Sequence, residues 1–222
     1  MLNKDGIKRE WSRYKELFKE AFEDLKTKGR RHKQIPNLIT STRIIAAPFF
    51  IIPAAVFGNV PLIIIFSIVF SLTDAVDGFI ARHYHLTSEL GKTLDAVCDK
   101  IFAGVLLLAA SIFNPLMLLN LGLEAIIAFI NTKAQIDGGS PRSSIVGKAK
   151  TCVLYPLLGV SILQPYLKMV NLYRFLLIAT TSMQLLTIAG YSIKYDKKEI
   201  QKEIEEEPAE PIVLESVPEE DK

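Results

Sequence analysis

From Pro36 to about Ile193 the chain is a succession of apolar runs, each long enough to cross a bilayer as a helix. The hydrocarbon layer offers no water to pair with backbone N–H and C=O groups, so such runs must satisfy them internally and fold as helices. Six spans are expected, at about 36–58, 61–82, 92–112, 114–132, 146–166 and 171–193. Their breaks are Gly58-Asn59-Val60-Pro61, the polar connection 83–91, Asn114-Pro115, the loop QIDGGSPRSS (135–144), and Lys168 to Asn171. The fourth run is the most interrupted, by Asn120, Glu124 and Asn131. With 50% hydrophobic residues and a mean hydropathy of +0.27, the sequence predicts an all-α integral membrane protein rather than a soluble domain.

The net charge of +2 averages two opposed ends. Residues 7–29 read as an amphipathic helix whose stripe is Trp11, Tyr14, Phe18, Phe22 and Leu25, with Lys8, Arg9, Arg13, Lys15, Lys19 and Lys26 around it. Such a helix is expected to lie along the headgroups; packing on a partner domain is the alternative. The run GRRHK (29–33) adds juxtamembrane charge. Basic residues also gather at Arg82 and Lys92, which flank the 83–91 connection, and in the 133–150 region, while the breaks near 59 and 114 carry none and that near 168–174 only Lys168 and Arg174. This alternation predicts cytoplasmic termini and an even number of spans. The domain reading is a juxtamembrane segment at 1–34, a six-helix catalytic domain at 35–195, and an acidic tail at 196–222. That tail begins helix-like and is expected to be disordered toward its end. Cys98 and Cys152 both read as buried small hydrophobes.

Against this apolar background, SLTDAVDGFIARHYHLTSELGKTLDAVCDKI (71–101) holds Asp74, Asp77, Asp95 and Asp99. A carboxylate at mid-bilayer costs about 2.5–3.5 kcal/mol, so four together cost roughly 10 kcal/mol unless they are neutralised. Asp74 and Asp77 are three apart and Asp95 and Asp99 four apart, so each pair shares a helix face. Gly78, Ala81 and Gly91 leave room beside them for a ligand or a close crossing. If the two helices form a hairpin, the acids meet near its cytoplasmic end and offer hard oxygen donors suited to Mg²⁺ or Mn²⁺. Phosphoryl chemistry on a lipid fits such a site, with a spare carboxylate as proton acceptor.

The pattern Asp74-x2-Asp77-Gly78-x2-Ala81-Arg82-x8-Gly91-x3-Asp95-x3-Asp99 resembles the signature of the CDP-alcohol phosphotransferases at every defined position. IPNLITSTRI (35–44) and VGKAKT (146–151) are similar to the branch that makes phosphatidylglycerol phosphate and to its cardiolipin synthase relatives. The resemblance implies transfer of a phosphatidyl group from CDP-diacylglycerol to an alcohol, with release of CMP. It implies metal ligation by Asp74, Asp77, Asp95 and Asp99, with Asp99 also the general base. Asn37, Thr40, Gly78, Ala81, Arg82 and Gly91 would bind the CDP-lipid. Arg43, Arg142, Lys148 and Lys150 would meet the acceptor's phosphate. The family also implies a homodimer in the lipid bilayer and no nucleic-acid partner.

In one respect the branch pattern is broken: Leu123 stands where its members place an Arg before the Glu, here Glu124. Glycerol 3-phosphate is still the acceptor the resemblance favours, with phosphatidylglycerol, an inositol phosphate or another alcohol as alternatives. A cation transporter using the acids as an ion site is the alternative from another class, although the acids sit on one hairpin and no internal repeat accompanies them.

Overall fold

The computed structural model describes residues 4–27, 34–84, 86, 88–137 and 145–206, and the regular structure among them is helical throughout. The elements are α1 (Lys4–Lys26), α2 (Ile35–Val56), α3 (Val60–His83), α4 (Glu89–Phe113), α5 (Met117–Ile136), α6 (Ile145–Leu167) and α7 (Val170–Glu206). Arg142, the run 29–33 and the tail after Glu206 lie outside the described residues. Among the described residues, five helices are long and apolar enough to cross a membrane: α2, α3, α4, α5 and α7 as far as Tyr191. α6 is 23 residues long but is not among the five.

Local chemistry sets the boundaries. Gly58 turns the chain between α2 and α3 at φ 66°, a left-handed conformation that costs glycine little. Asn59 then caps α3 by accepting from the Leu62 N–H at 3.2 Å. Ser88 caps α4, accepting from the Gly91 N–H at 2.9 Å, so α4 starts three residues before the expected 92. Asn114-Pro115 delays α5 to Met117 instead of 114. The Asn114 side chain donates to the Ser161 carbonyl at 2.9 Å and to its hydroxyl at 2.8 Å, tying this turn to α6.

α2 packs against both α3 and α4, whereas α3 and α4 approach each other little. The expected acidic hairpin is therefore completed by a third helix. Ala47, Ala54 and Ala55 of α2 and Ala109 and Ala110 of α4 are buried, and small residues of this kind let helix backbones come close. Ile51, Ile63, Leu107, Met117 and Leu157 fill the core around them. Large apolar side chains such as Ile45, Phe49, Phe79 and Phe175 are exposed, as a lipid-facing surface requires. Cys98 is buried, but Cys152 is exposed, contrary to the sequence reading. α7 packs on α5 and α6.

α1 rests on the ends of α4 and α5. Arg13 reaches Glu89, in the first turn of α4, at 3.0 Å. Trp11, Phe18 and Phe22 stay exposed along α1.

Candidate metal centre and its two clefts

Asp74 and Asp77 come from the last turns of α3, and Asp95 from the second turn of α4. Each of the three offers a carboxylate oxygen within 4.8 Å of the others, close enough to share one cation. Three hard oxygen donors fit Mg²⁺ or Mn²⁺ rather than a soft metal. Asp77 is the buried member; it accepts from the Thr40 hydroxyl at 3.0 Å, which orients it from α2. Asp99 does not join the three. Four residues advance a helix by about 6 Å, which carries its carboxylate a turn deeper than Asp95.

Arg43 lines neither cleft described below. Its side chain is 4% exposed, and its guanidinium contacts Asp74 at 2.6 Å and Asp95 at 3.8 Å. Nε donates to the Cys98 sulfur at 3.0 Å and the other amino group to the Phe70 carbonyl at 3.3 Å. Arg43 thus offsets part of the acid charge and holds α2, α3 and α4 together from within.

Beside the acids lies a cleft of about 170 Å³ whose lining includes Asn37, Thr40, Gly78, Ala81, Arg82 and Gly91. These are the six residues expected to bind a CDP-lipid, and the fold brings them to one place. The Arg82 guanidinium folds over Gly78, where an added Cβ would stand 3.3 Å from it. At Gly91 an added Cβ would stand 2.5 Å from the Asn37 side-chain oxygen, so only glycine admits that approach.

A larger cleft of about 500 Å³ opens one turn further along α4. Asp99, Lys100, Glu124, Lys150, Tyr155 and Thr187 are among its lining residues. Lys150 is 7% exposed and donates to both Glu124 oxygens, at 2.6 and 2.7 Å. Gln184, fully buried on α7, donates to Glu124 at 2.9 Å and to the Asn120 carbonyl at 3.1 Å. The sequence shows Glu124 only as an acid that interrupts an apolar run, and it does not single out Gln184. The signal available was an acid and a base at matching depth on neighbouring spans. Lys148 lies in α6, two positions before Lys150.

This pair has a measurable consequence. Lys150→Met leaves Glu124, half-buried beside Gln184, with no cation. Breaking a fully buried pair costs about 3–5 kcal/mol and an exposed one about 0–1, so a loss of about 1–3 kcal/mol is expected here. Thermal unfolding in detergent is expected to show the loss. The Lys150→Met/Glu124→Leu double variant, with both charges removed, is expected to recover most of it.

The family model for CDP-alcohol phosphatidyltransferase matches residues 33–189, which include every acid of the centre and both clefts apart from Tyr191. The chain belongs to the CDP-alcohol phosphatidyltransferase family and is a transferase. Three similar proteins carry the name CDP-diacylglycerol–glycerol-3-phosphate 3-phosphatidyltransferase. That of Aquifex aeolicus is 31% identical over 142 residues, covering 60% of this chain and 78% of the relative. That of Rickettsia bellii is 35% identical over 80 residues, 34% of this chain and 43% of the relative. That of Salmonella typhimurium is 36% identical over 74 residues, 32% of this chain and 40% of the relative.

Proposed function

We propose that this enzyme transfers a phosphatidyl group from CDP-diacylglycerol to glycerol 3-phosphate, giving phosphatidylglycerol phosphate and CMP. The observation that carries the proposal is the three-acid centre flanked by two clefts on successive turns of α4, one lined by small residues and the other by Asp99 and Lys150. The names of the Aquifex, Rickettsia and Salmonella relatives support this donor and acceptor.

Asp74, Asp77 and Asp95 would hold Mg²⁺ or Mn²⁺, which supplies charge neutralisation of the diphosphate and of the departing CMP. Asn37, Thr40, Gly78, Ala81, Arg82 and Gly91 bind the nucleotide end of the lipid, with Gly78 and Gly91 admitting the Arg82 and Asn37 side chains that face it and Ala81 keeping the wall low. In the second cleft Asp99 accepts the proton of the glycerol 3-phosphate hydroxyl as that oxygen attacks the β-phosphorus. A new P–O bond forms there, and the bond from the β-phosphorus to the bridging oxygen breaks, releasing CMP. Lys148, Lys150 and Arg142 hold the acceptor's phosphate as charged donors. Arg43 braces Asp74 and Asp95.

α6 is the sixth span in this account, α1 lies along the membrane surface, and both termini and the active centre face the cytoplasm. Labelling of single cysteines at the helix connections from one side of the membrane tests that topology. The enzyme works as a homodimer through its membrane helices, which native mass measurement checks.

An acceptor panel tests the reaction. Purified protein with CDP-diacylglycerol and Mg²⁺ is expected to release CMP fastest with glycerol 3-phosphate, well ahead of phosphatidylglycerol or inositol phosphate. Preference for an alcohol without a phosphate would remove the role given to Lys148, Lys150 and Arg142.

A further inference from the structure

We propose that Gln34 is a positioning residue that fixes the Asn37 side-chain amide in the nucleotide cleft and ties it to α1. Gln34 precedes α2 and is 6% exposed, although it belongs to no part of the acid centre. Its carbonyl oxygen accepts from the Asn37 amide at 2.7 Å. Its own amide donates to Asp24, near the end of α1, at 3.3 Å. The Asn37 amide nitrogen also reaches the Ser88 hydroxyl oxygen at 3.3 Å, and the same oxygen caps α4 through the Gly91 N–H at 2.9 Å.

These contacts fix which end of the Asn37 amide faces where. A free asparagine can turn its oxygen and nitrogen over, but here both amide hydrogens have partners in Gln34 and Ser88. The carbonyl oxygen is therefore the end set against Gly91, in the wall of the nucleotide cleft. Loss of Gln34 leaves one amide hydrogen unpaired in a buried place, and turning over becomes cheap. The hydrogen-bonded line from Asp24 through Gln34 and Asn37 to Ser88 makes the surface helix part of the scaffold for the nucleotide. This inference rests on the functional reading above, in which that cleft takes a cytidine nucleotide.

Calorimetric titration of CDP into the full-length protein in detergent with Mg²⁺ tests it. Gln34→Leu is expected to weaken CDP binding about fivefold, the scale of one buried hydrogen bond, with the KM for acceptor unchanged. Gln34→Glu keeps the acceptor for Asn37 but sets two carboxylates face to face, and is expected to weaken binding comparably. Adding Asp24→Asn reverses donor and acceptor across that contact and is expected to restore affinity to within about twofold of wild type. A purely structural role for Gln34 predicts a lower melting temperature in Gln34→Leu with CDP affinity at the wild-type value. Wild-type affinity in Gln34→Leu, or no recovery in the Gln34→Glu/Asp24→Asn variant, overturns the inference while leaving the functional reading intact. A wild-type protein that binds no CDP overturns both.

Discussion

Replacing Asp77 with Asn is expected to lower CMP release from CDP-diacylglycerol by about a thousandfold. Asp77 is the buried member of the three-acid centre, held by the Thr40 hydroxyl and central to the shared donor set. Asparagine keeps the shape and one oxygen but loses the charge, and only two carboxylates would then remain for a divalent ion. Charge stabilisation by a bound cation is worth several kcal/mol in the transition state, and each 1.4 kcal/mol is a factor of ten in rate. The fold should tolerate the change, because burying a neutral amide costs less than burying a carboxylate. Initial rates measured beside thermal unfolding separate the two effects. A variant that unfolds at the wild-type temperature yet is inactive is the expected result.

Asp99→Asn is expected to act differently. Its carboxylate stands apart from the three-acid group and lines the second cleft. Loss of a general base lowers turnover by about 10²–10⁴-fold. Divalent-ion uptake and CDP affinity should stay near wild type, because neither depends on the Asp99 carboxylate in this arrangement. Pre-steady-state CMP release with glycerol 3-phosphate, set beside CDP titration, provides the contrast. If Asp99→Asn lost ion binding as severely as Asp77→Asn, Asp99 would be a ligand in the working enzyme and its separation in this structure would not persist.

The helices were legible in the sequence because apolar runs and their punctuation are local signals. The boundaries moved where a cap or proline acted: Ser88 drew the start of α4 back to Glu89, and Asn114-Pro115 pushed α5 on to Met117. The carboxylate faces were legible too, since spacing alone places Asp74 beside Asp77. Spacing could not show that α2 would come between the two acidic helices, because that depends on tertiary packing around Ala47, Ala54 and Ala55. For the same reason Arg43 looked like a ligand for the acceptor, whereas the fold buries it against Asp74. The length of α6 was legible, but no local signal showed that its Ser161 carbonyl and hydroxyl would take the Asn114 amide. Glu124 needed its partners from α6 and α7 before its place among apolar neighbours made sense.

Titration of Mn²⁺ into detergent-solubilised protein, followed by electron paramagnetic resonance, probes the acid centre most directly. Wild type is predicted to take up the ion in a form that CDP tightens, and a variant with Asn at 74, 77 and 95 to take up none. Equal uptake by that triple variant, or cation flux through wild-type liposomes without any CMP release, would contradict the account.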